Sequence, residues 1–211
     1  MSHAQSFIRA HLPVTPVPGI VDVHLHKAGP SSGVGRWAAE GPPPYWAFWW
    51  AGGLALAQHL QACPALVAGR RVLDLGAGSG LVAIVAARMG AAGVAASEVD
   101  AHGRAAIALN ATLNGVILED IVGDVMNAPS PAVDVILAGD LFYAPDVAAR
   151  VVPFLDGCVA SGIEVLVGDP GRSPLPRDRL TFLARYQVAE TGAPKPAAVY
   201  AYRGAGPYPV A

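Results

Sequence analysis

Four acidic residues of this sequence stand at or near the end of an apolar stretch: Asp74, Glu98, Asp124 and Asp140. Carboxylates accept hydrogen bonds on two oxygens and attract cationic groups. No Lys or Arg occurs from residue 72 to residue 87, around the first of them. This charge pattern favours a positively charged ligand and disfavours a pyrophosphate.

The stretch ILAGDLFY (136–143) combines a charge with aromatic rings. An apolar run typical of a buried strand ends at Asp140, and Tyr143 follows three positions later. An aromatic ring that faces a cation contributes about 0.5–2 kcal/mol, depending on how far the cation is desolvated. The sequence therefore places a carboxylate and an aromatic ring together at the end of a predicted buried strand.

A glycine-rich loop, GAGSG (76–80), follows the first of the acidic strands. Its alternate glycines allow a ligand to approach the backbone at Gly76, Ala77 and Gly78. A dinucleotide fingerprint would place a third glycine where this chain has Leu81. The GxGxG spacing instead resembles motif I of the class I methyltransferases, whose cofactor S-adenosylmethionine carries a sulfonium and an ammonium group and no phosphate.

Two further positions suit a nucleoside. Glu98 comes 22 residues after Gly76 and can accept both ribose hydroxyls. Gly123 and Asp124 follow the next apolar stretch, where Asp124 can accept a hydrogen bond from an adenine amino group. The ribose contact alone does not separate S-adenosylmethionine from NAD, because both carry an adenosine.

Short apolar runs alternate with helical patterns from Arg71 onward, which predicts an α/β fold with a mostly parallel, doubly wound sheet. The predicted strands are 71–76, 93–100, 115–124, 133–140 and 163–170, with a closing pair at 186–191 and 199–203; the predicted helices are 80–90, 101–115 and 144–155. Pro153 is expected to end or bend the last helix. Before Arg71, the alternation in IVDVHLH (20–26) predicts a half-exposed strand.

Composition limits the classes of function. The chain has 211 residues, 53% of them hydrophobic and 14% charged, with a net charge of −2. These values are typical of a globular domain and give no electrostatic case for binding nucleic acid or an anionic membrane. No signal peptide or membrane-spanning run is expected, so we expect a cytoplasmic protein. Two cysteines and six scattered histidines predict no metal site.

Several blocks together resemble the lysine methyltransferases that act on the β-subunit of electron transfer flavoprotein, within the class I, seven-β-strand methyltransferases. The blocks are PPPYWAFWWAGGLAL (42–56), VLDLGAGSGLVAIVAA (72–87), ASEVD (96–100), GDLFY (139–143) and GDPGR (168–172). The resemblance implies a Rossmann-like seven-stranded fold with an antiparallel C-terminal pair, S-adenosylmethionine as cofactor and the flavoprotein β-subunit as protein substrate. One departure is Glu98, where the family more often has Asp.

The resemblance also implies residue roles. Asp140 would contact the cofactor and hold the lysine amine, Tyr143 would align it, and Trp50 would pack against the cofactor. Two interpretations of GDPGR (168–172) stay open: in one, Asp169 shapes the acceptor pocket and Arg172 faces an acidic surface of the protein substrate, and in the other the segment is a structural turn. Residues 1–45 are interpreted as an N-terminal extension packed on the core, and residues 46–211 as the cofactor-binding domain.

Two alternatives stay open at this point. A methyltransferase for a small amine, or for another protein such as a ribosomal one, would share most of these blocks. An NAD-linked oxidoreductase is more remote, since Leu81 occupies the position of a fingerprint glycine.

Overall fold

The computed structural model describes residues 2–37, 43–190 and 192–204. Its centre is a seven-stranded sheet whose strands lie in the order β5-β4-β3-β6-β7-β9-β8. These strands are β3 (Arg71–Leu75), β4 (Gly93–Ser97), β5 (Asp120–Val122), β6 (Val135–Gly139), β7 (Glu164–Asp169), β8 (Leu180–Val188) and β9 (Lys195–Tyr202). The first five are parallel, and β9 pairs antiparallel with both β7 and β8. The predicted fold class is confirmed.

The remaining elements of the described residues are six helices, a small hairpin and three short 3-10 turns. The helices are α1 (His3–His11), α2 (Val34–Trp37), α3 (Ala51–Ala62), α4 (Leu81–Arg88), α5 (Ala101–Leu113) and α6 (Pro145–Ala160), and the hairpin joins β1 (Val14–Pro16) to β2 (His24–His26). Three short 3-10 turns complete the described chain at Tyr45–Ala47, Pro64–Leu66 and Arg177–Arg179.

Helices cover both faces of the sheet, which explains the continuous apolar runs. Val72 and Leu73 are neighbours in β3, yet Val72 packs with α3 and α4 while Leu73 packs with α6. Both side chains are buried. A strand buried on both faces needs apolar residues at successive positions, as the sequence shows here.

Pro153 was expected to end or bend helix α6, and the first of these outcomes is contradicted because the helix continues to Ala160. A bend at Pro153 stays a prediction. Pro153 is exposed, and so is Ala149, whose carbonyl group loses its helical partner. Val151 and Leu155 on the opposite face are fully buried in the core. Burial of this apolar face outweighs the local cost of the proline.

Two other boundaries differ from the sequence prediction. The closing strands β8 and β9 are longer than the predicted pair at 186–191 and 199–203. The strand predicted over residues 20–26 is reduced to β2, because Asp22 has a φ of 54° in a turn. Val21 is therefore 67% exposed and does not share the buried environment of Val23.

The N-terminal segment packs on the cofactor-domain candidate through α5. The backbone N–H of His26 donates to Asn110 Oδ1 at 2.9 Å, and Asn110 Nδ2 donates to the Ser79 carbonyl at 2.8 Å. Asn110 is fully buried and so links β2 to the glycine-rich loop. The domain boundary at residue 45 stays a prediction, and Pro42 of the aromatic block and residues 205–211 lie outside the described residues.

Candidate active site

A pocket opens at the carboxyl ends of β3 and β6, where the strand order of the sheet reverses. Open α/β sheets bind their ligands at this switch point. The pocket is lined by Phe48, Trp49, Trp50, Gly53, Asp74, Gly76, Ala77, Gly78, Ser79, Leu81, Val82, Gly139 and Asp140. Six of the predicted site residues, namely Trp50, Asp74, Gly76, Ala77, Gly78 and Asp140, are thus brought together.

The glycine-rich loop forms the floor of the pocket. Gly76 and Gly78 have φ values of 67° and 54°, in the left-handed region that favours glycine. The Ala77 N–H donates to the Ser97 carbonyl at 2.9 Å, and the Gly78 N–H donates to Glu98 Oε2 at 2.9 Å. The end of β4 therefore holds the loop in place.

Asp74 is only 2% exposed beneath this loop. Its Oδ2 accepts a hydrogen bond from the Ala83 N–H at 2.8 Å, so it satisfies a free donor in the first turn of α4. Burial raises the pKa of Asp74 to about 7, the Ala83 N–H opposes this rise, and the charge of Glu98 adds to it. At neutral pH, Asp74 carries only part of a negative charge.

Glu98 has both oxygens engaged by the backbone. Oε2 accepts from Gly78 and Oε1 from the Asp100 N–H, each at 2.9 Å. Burial raises the pKa of Glu98, and these backbone donors oppose the rise. Each carboxylate oxygen has a second lone pair. The side chain is thus fixed in one orientation and keeps acceptor capacity for ribose hydroxyl groups.

Asp124 lies outside the lining of the pocket. Its Oδ1 accepts from the Met126 N–H at 2.9 Å, and Arg150 Nη2 donates to its Oδ2 at 2.5 Å. The hydrogen bond from Arg150 is the main reason why the pKa of Asp124 is lowered. The carbonyl of Gly123 accepts from the Ser97 hydroxyl at 2.7 Å. Neither Gly123 nor Asp124 contacts the pocket in this structure.

Asp140 is 9% exposed and has a φ of 59°, which is uncommon for a residue other than glycine. Its backbone N–H donates to the Gly168 carbonyl at 2.9 Å. Its Oδ2 accepts from the Gly53 N–H at 2.6 Å, in the first turn of α3. Trp50 directly precedes α3 and has no side-chain oxygen to cap the helix. Asp140, at the end of β6, supplies the acceptor instead.

Arg172 donates from Nη1 to Asp140 Oδ1 at 2.5 Å and to Asp169 Oδ2 at 3.1 Å. The expectation that Arg172 faces the protein substrate is therefore wrong, since its guanidinium turns inward. Asp169 is fully buried and also accepts the N–H groups of Gly171 and Arg172. Burial raises the pKa of Asp140, whereas Arg172 and the Gly53 N–H oppose the rise.

Tyr45 and Tyr143 lie outside the pocket lining but connect to it through Trp50, which lines the pocket. The Tyr45 ring lies 5.5 Å from the Tyr143 ring and 5.6 Å from the Trp50 ring, between centroids. Tyr45 and Tyr143 are 45% and 47% exposed. Trp50 Nε1 donates to the Tyr45 carbonyl at 3.0 Å, which fixes the indole ring. The sequence pointed to Tyr143 and Trp50 and missed Tyr45, whose position in the Trp-rich block was the available signal.

The donor set fits S-adenosylmethionine. Glycine backbone forms the floor, an aromatic ring forms one wall, and acidic groups lie at the strand ends. No Lys or Arg is among the residues that line the pocket, so no side-chain cation of the lining would pair with a pyrophosphate. Within the described ranges, no three His, Cys, Asp or Glu side chains are grouped to hold a metal ion. No helix in these ranges is long and apolar enough to cross a bilayer.

The strand order of the sheet and the pocket at its switch point identify the fold as that of the class I methyltransferases. A putative RNA methyltransferase from Pyrococcus horikoshii has a solved structure that covers 77% of this chain and 89% of its own, with 17% sequence identity and a TM-score of 0.56. Residues 57–150 match the family model described as ribosomal protein L11 methyltransferase (PrmA).

The chain belongs to the family of electron transfer flavoprotein β-subunit lysine methyltransferases. The Xenopus laevis protein of that name is 34% identical over 197 residues, which are 89% of this chain and 80% of the relative. The protein of that name from Rattus norvegicus is 40% identical over 155 residues, which are 72% of this chain. The chain spans 60% of the length of the rat relative.

Proposed function

We propose that this chain is an S-adenosylmethionine-dependent protein-lysine N-methyltransferase whose substrate is the β-subunit of electron transfer flavoprotein. The observation that carries the proposal is the match to the Xenopus laevis protein over 89% of this chain. The acidic and aromatic residues around the pocket support it, because they suit a cationic cofactor and a cationic acceptor side chain. Family membership argues against the NAD-linked alternative.

The cofactor supplies an electrophilic methyl group, and the protein binds and orients both partners. Gly76, Ala77 and Gly78 would hold the cofactor through the backbone, and Glu98 would accept its ribose hydroxyls. Trp50 would pack against it, while Gly123 and Asp124 would reach the adenine after Asp124 turns from Arg150. The lysine amine would enter past Tyr143 and donate a hydrogen bond to Asp140.

The acceptor nitrogen has to lose its proton before it can attack the methyl group. The reference pKa of lysine is about 10.4, so nearly all free lysine is protonated at neutral pH. Asp140 would fix the direction of the nitrogen lone pair by accepting an amine hydrogen, and Tyr143 would cover the nitrogen with its ring. Both residues would contact the substrate and are the proposed catalytic residues.

The test is incubation of the purified protein with methyl-labelled S-adenosylmethionine and the purified flavoprotein β-subunit. We expect label on a lysine and its loss in Asp140→Ala, with Asp140→Asn as the variant of unchanged size. The exposed Asp120 provides the control Asp120→Ala, which is expected to keep full activity. Full activity of Asp140→Ala, with S-adenosylhomocysteine binding unchanged, would contradict the role of Asp140.

A ribosomal protein is the second candidate substrate, favoured by the family-model match over residues 57–150. The same labelling reaction with purified L11 in place of the flavoprotein subunit tests it. A cytoplasmic location also stays a proposal, which immunoblotting of fractionated cells would test.

A further inference from the structure

Asp140 is not a free carboxylate at the base of the pocket. One oxygen accepts from the Gly53 N–H and the other from Arg172 Nη1, at 2.6 and 2.5 Å. The Asp140 side chain is 10% exposed and that of Arg172 is 25% exposed. An ion pair this well shielded from solvent keeps much of its electrostatic effect on a third group nearby.

An unpaired buried carboxylate would hinder the proposed reaction. A negative charge within about 4–6 Å of an amine stabilises its protonated form and raises its pKa. In methyl transfer, the nitrogen lone pair forms the new N–C bond while the electron pair of the S–C bond goes to sulfur. The nitrogen must therefore enter without its extra proton, which passes to solvent.

Asp169 makes the problem larger, because it adds a second, fully buried carboxylate next to the same guanidinium. Arg172 is the cation that contacts both. Other titratable groups lie near the pocket. Asp74 lines it and is influenced by the charge of Glu98; Tyr143 is influenced by Tyr45, Glu98 and Asp146; and Lys27 lies over the ring of Trp49. Gly52 and Gly53, on α3, bring no charge.

We propose that Arg172 is a positioning residue that offsets the charge of Asp140, so that the substrate amine binds beside Asp140 in its neutral, nucleophilic form. Asp140 then offers a hydrogen-bond acceptor with fixed geometry, and the cluster of Asp140, Asp169 and Arg172 has one formal negative charge instead of the two that it would have without Arg172. Asp169 holds Arg172 in place through its side chain and the N–H groups of Gly171 and Arg172. This inference rests on the proposed function and assigns a role that the family resemblance did not give to Arg172.

The direct test measures the protonation of the bound amine without turnover. The wild-type enzyme first places a 13C-methyl group on the substrate lysine, and the isolated product is bound to enzyme saturated with S-adenosylhomocysteine. The 13C chemical shift is then followed against pH in the complexes of wild type, Arg172→Gln, Arg172→Lys and Asp169→Asn. The surface variant Arg185→Gln serves as the matched control.

Opposite shifts are expected from the two charge changes. Arg172→Gln should raise the pKa of the bound amine by about one unit. The neutral fraction of the amine, and with it kcat near pH 7.5, should then fall about tenfold. Asp169→Asn removes a negative charge and should lower that pKa. Arg172→Lys should restore a value close to that of wild type. If Arg172 and Asp169 had purely structural roles, their variants would not shift the pKa of the amine in opposite directions.

The inference is overturned if the pKa of the amine is unchanged in Arg172→Gln. This holds if kcat falls equally at every pH, and it also holds if only the pH dependence of kcat changes. In the latter case Arg172 would act on the ionisation of Asp140 alone. If Arg172→Gln does not fold, an unchanged pKa in Asp169→Asn overturns the inference equally. Absence of labelling by the wild-type enzyme would overturn the proposed function. Labelling by the wild type together with an unchanged amine pKa in Arg172→Gln would overturn this inference alone, so the two failures are distinguishable.

Discussion

Gly52 in the first turn of α3 packs directly on the backbone of Gly168 in β7. A Cβ atom added at Gly52 would lie 2.1 Å from the Gly168 carbonyl oxygen and 2.8 Å from Asp140 Oδ2. The closer contact cannot be relieved by moving the end of a side chain, since it is to backbone. This close approach brings the Gly53 N–H within hydrogen-bond distance of Asp140.

Substitution of Gly52 by Ala is therefore expected to be destabilising, although alanine is the better helix former. Overpacking against backbone costs typically about 1–3 kcal/mol or more of the free energy of unfolding. Urea denaturation of the purified variant measures the change. The helical control is Gly157→Ala in α6, where an added Cβ meets nothing within 4 Å. That control should gain about 0.5–1 kcal/mol, and equal effects at both positions would contradict the packing account.

The buried Asp74 predicts a pH dependence of stability. Its pKa is about 7 in the folded chain and 3.8 as the reference value. Between these values the folded state holds a proton that the unfolded state releases, so stability falls as the pH rises from about 4 to about 7 and is constant above that range. The loss is up to about 4 kcal/mol at about 1.36 kcal/mol per unit.

Asp74→Asn isolates this contribution, because the amide oxygen can still accept the Ala83 N–H and does not titrate. The free energies of unfolding of wild type and variant are compared in urea at several pH values, without cofactor. We expect Asn to gain stability relative to Asp as the pH rises to about 7. A difference that does not depend on pH would show that Asp74 has an ordinary pKa.

Local spacing was enough to predict the parallel strands of the large sheet, the glycine-rich loop and the position of Asp140 after β6, since each depends on residues close together in the chain. Arg172 shows where this fails. It lies 32 positions from Asp140, and the two meet only because β6 and β7 are adjacent in the sheet. A charge count over residues 72–87 could not detect that Arg172 and Arg150 neutralise two of the four acidic groups.

Pro153 and Tyr45 illustrate two other limits. A local rule placed an end or a bend of a helix at Pro153, but burial of Val151 and Leu155 extends α6 beyond it. Tyr45 belongs to a block rich in aromatic residues, and the sequence alone does not reveal which ring turns toward the mouth of the pocket. Tertiary packing decides both outcomes.

Glu98→Gln should weaken S-adenosylhomocysteine binding. The amide loses one acceptor, so the variant cannot both hold the Gly78 N–H and accept two ribose hydroxyls. A charge-assisted hydrogen bond contributes about 1.5–3 kcal/mol, which corresponds to a loss of affinity of about 10- to 100-fold. Isothermal titration calorimetry measures the change, with Asp120→Asn on the neighbouring β5 as control. Unchanged affinity would show that Glu98 only positions the loop.

The aromatic group at the mouth of the pocket predicts distinct effects of ring and hydroxyl. Tyr45 contacts both Trp50 and Tyr143, so its removal should release two rings at once. For Tyr45→Ala we expect a loss in kcat/KM of about 5- to 30-fold, in line with about 1–2 kcal/mol for a partly desolvated cation–ring contact. Tyr45→Phe keeps the ring and should stay close to wild type.

Tyr143 should respond differently if its hydroxyl aligns the amine. Burial raises the pKa of Tyr143, so the hydroxyl stays protonated across the neutral range and can act as a hydrogen-bond donor or acceptor. Tyr143→Phe is then expected to lower kcat while KM changes little, because the ring still covers the nitrogen. Phe182→Leu on β8, an exposed aromatic residue outside the pocket lining, is the control. Steady-state kinetics on the purified substrate measures kcat and KM separately. A wild-type kcat in Tyr143→Phe would show that the ring of Tyr143 contributes and its hydroxyl does not.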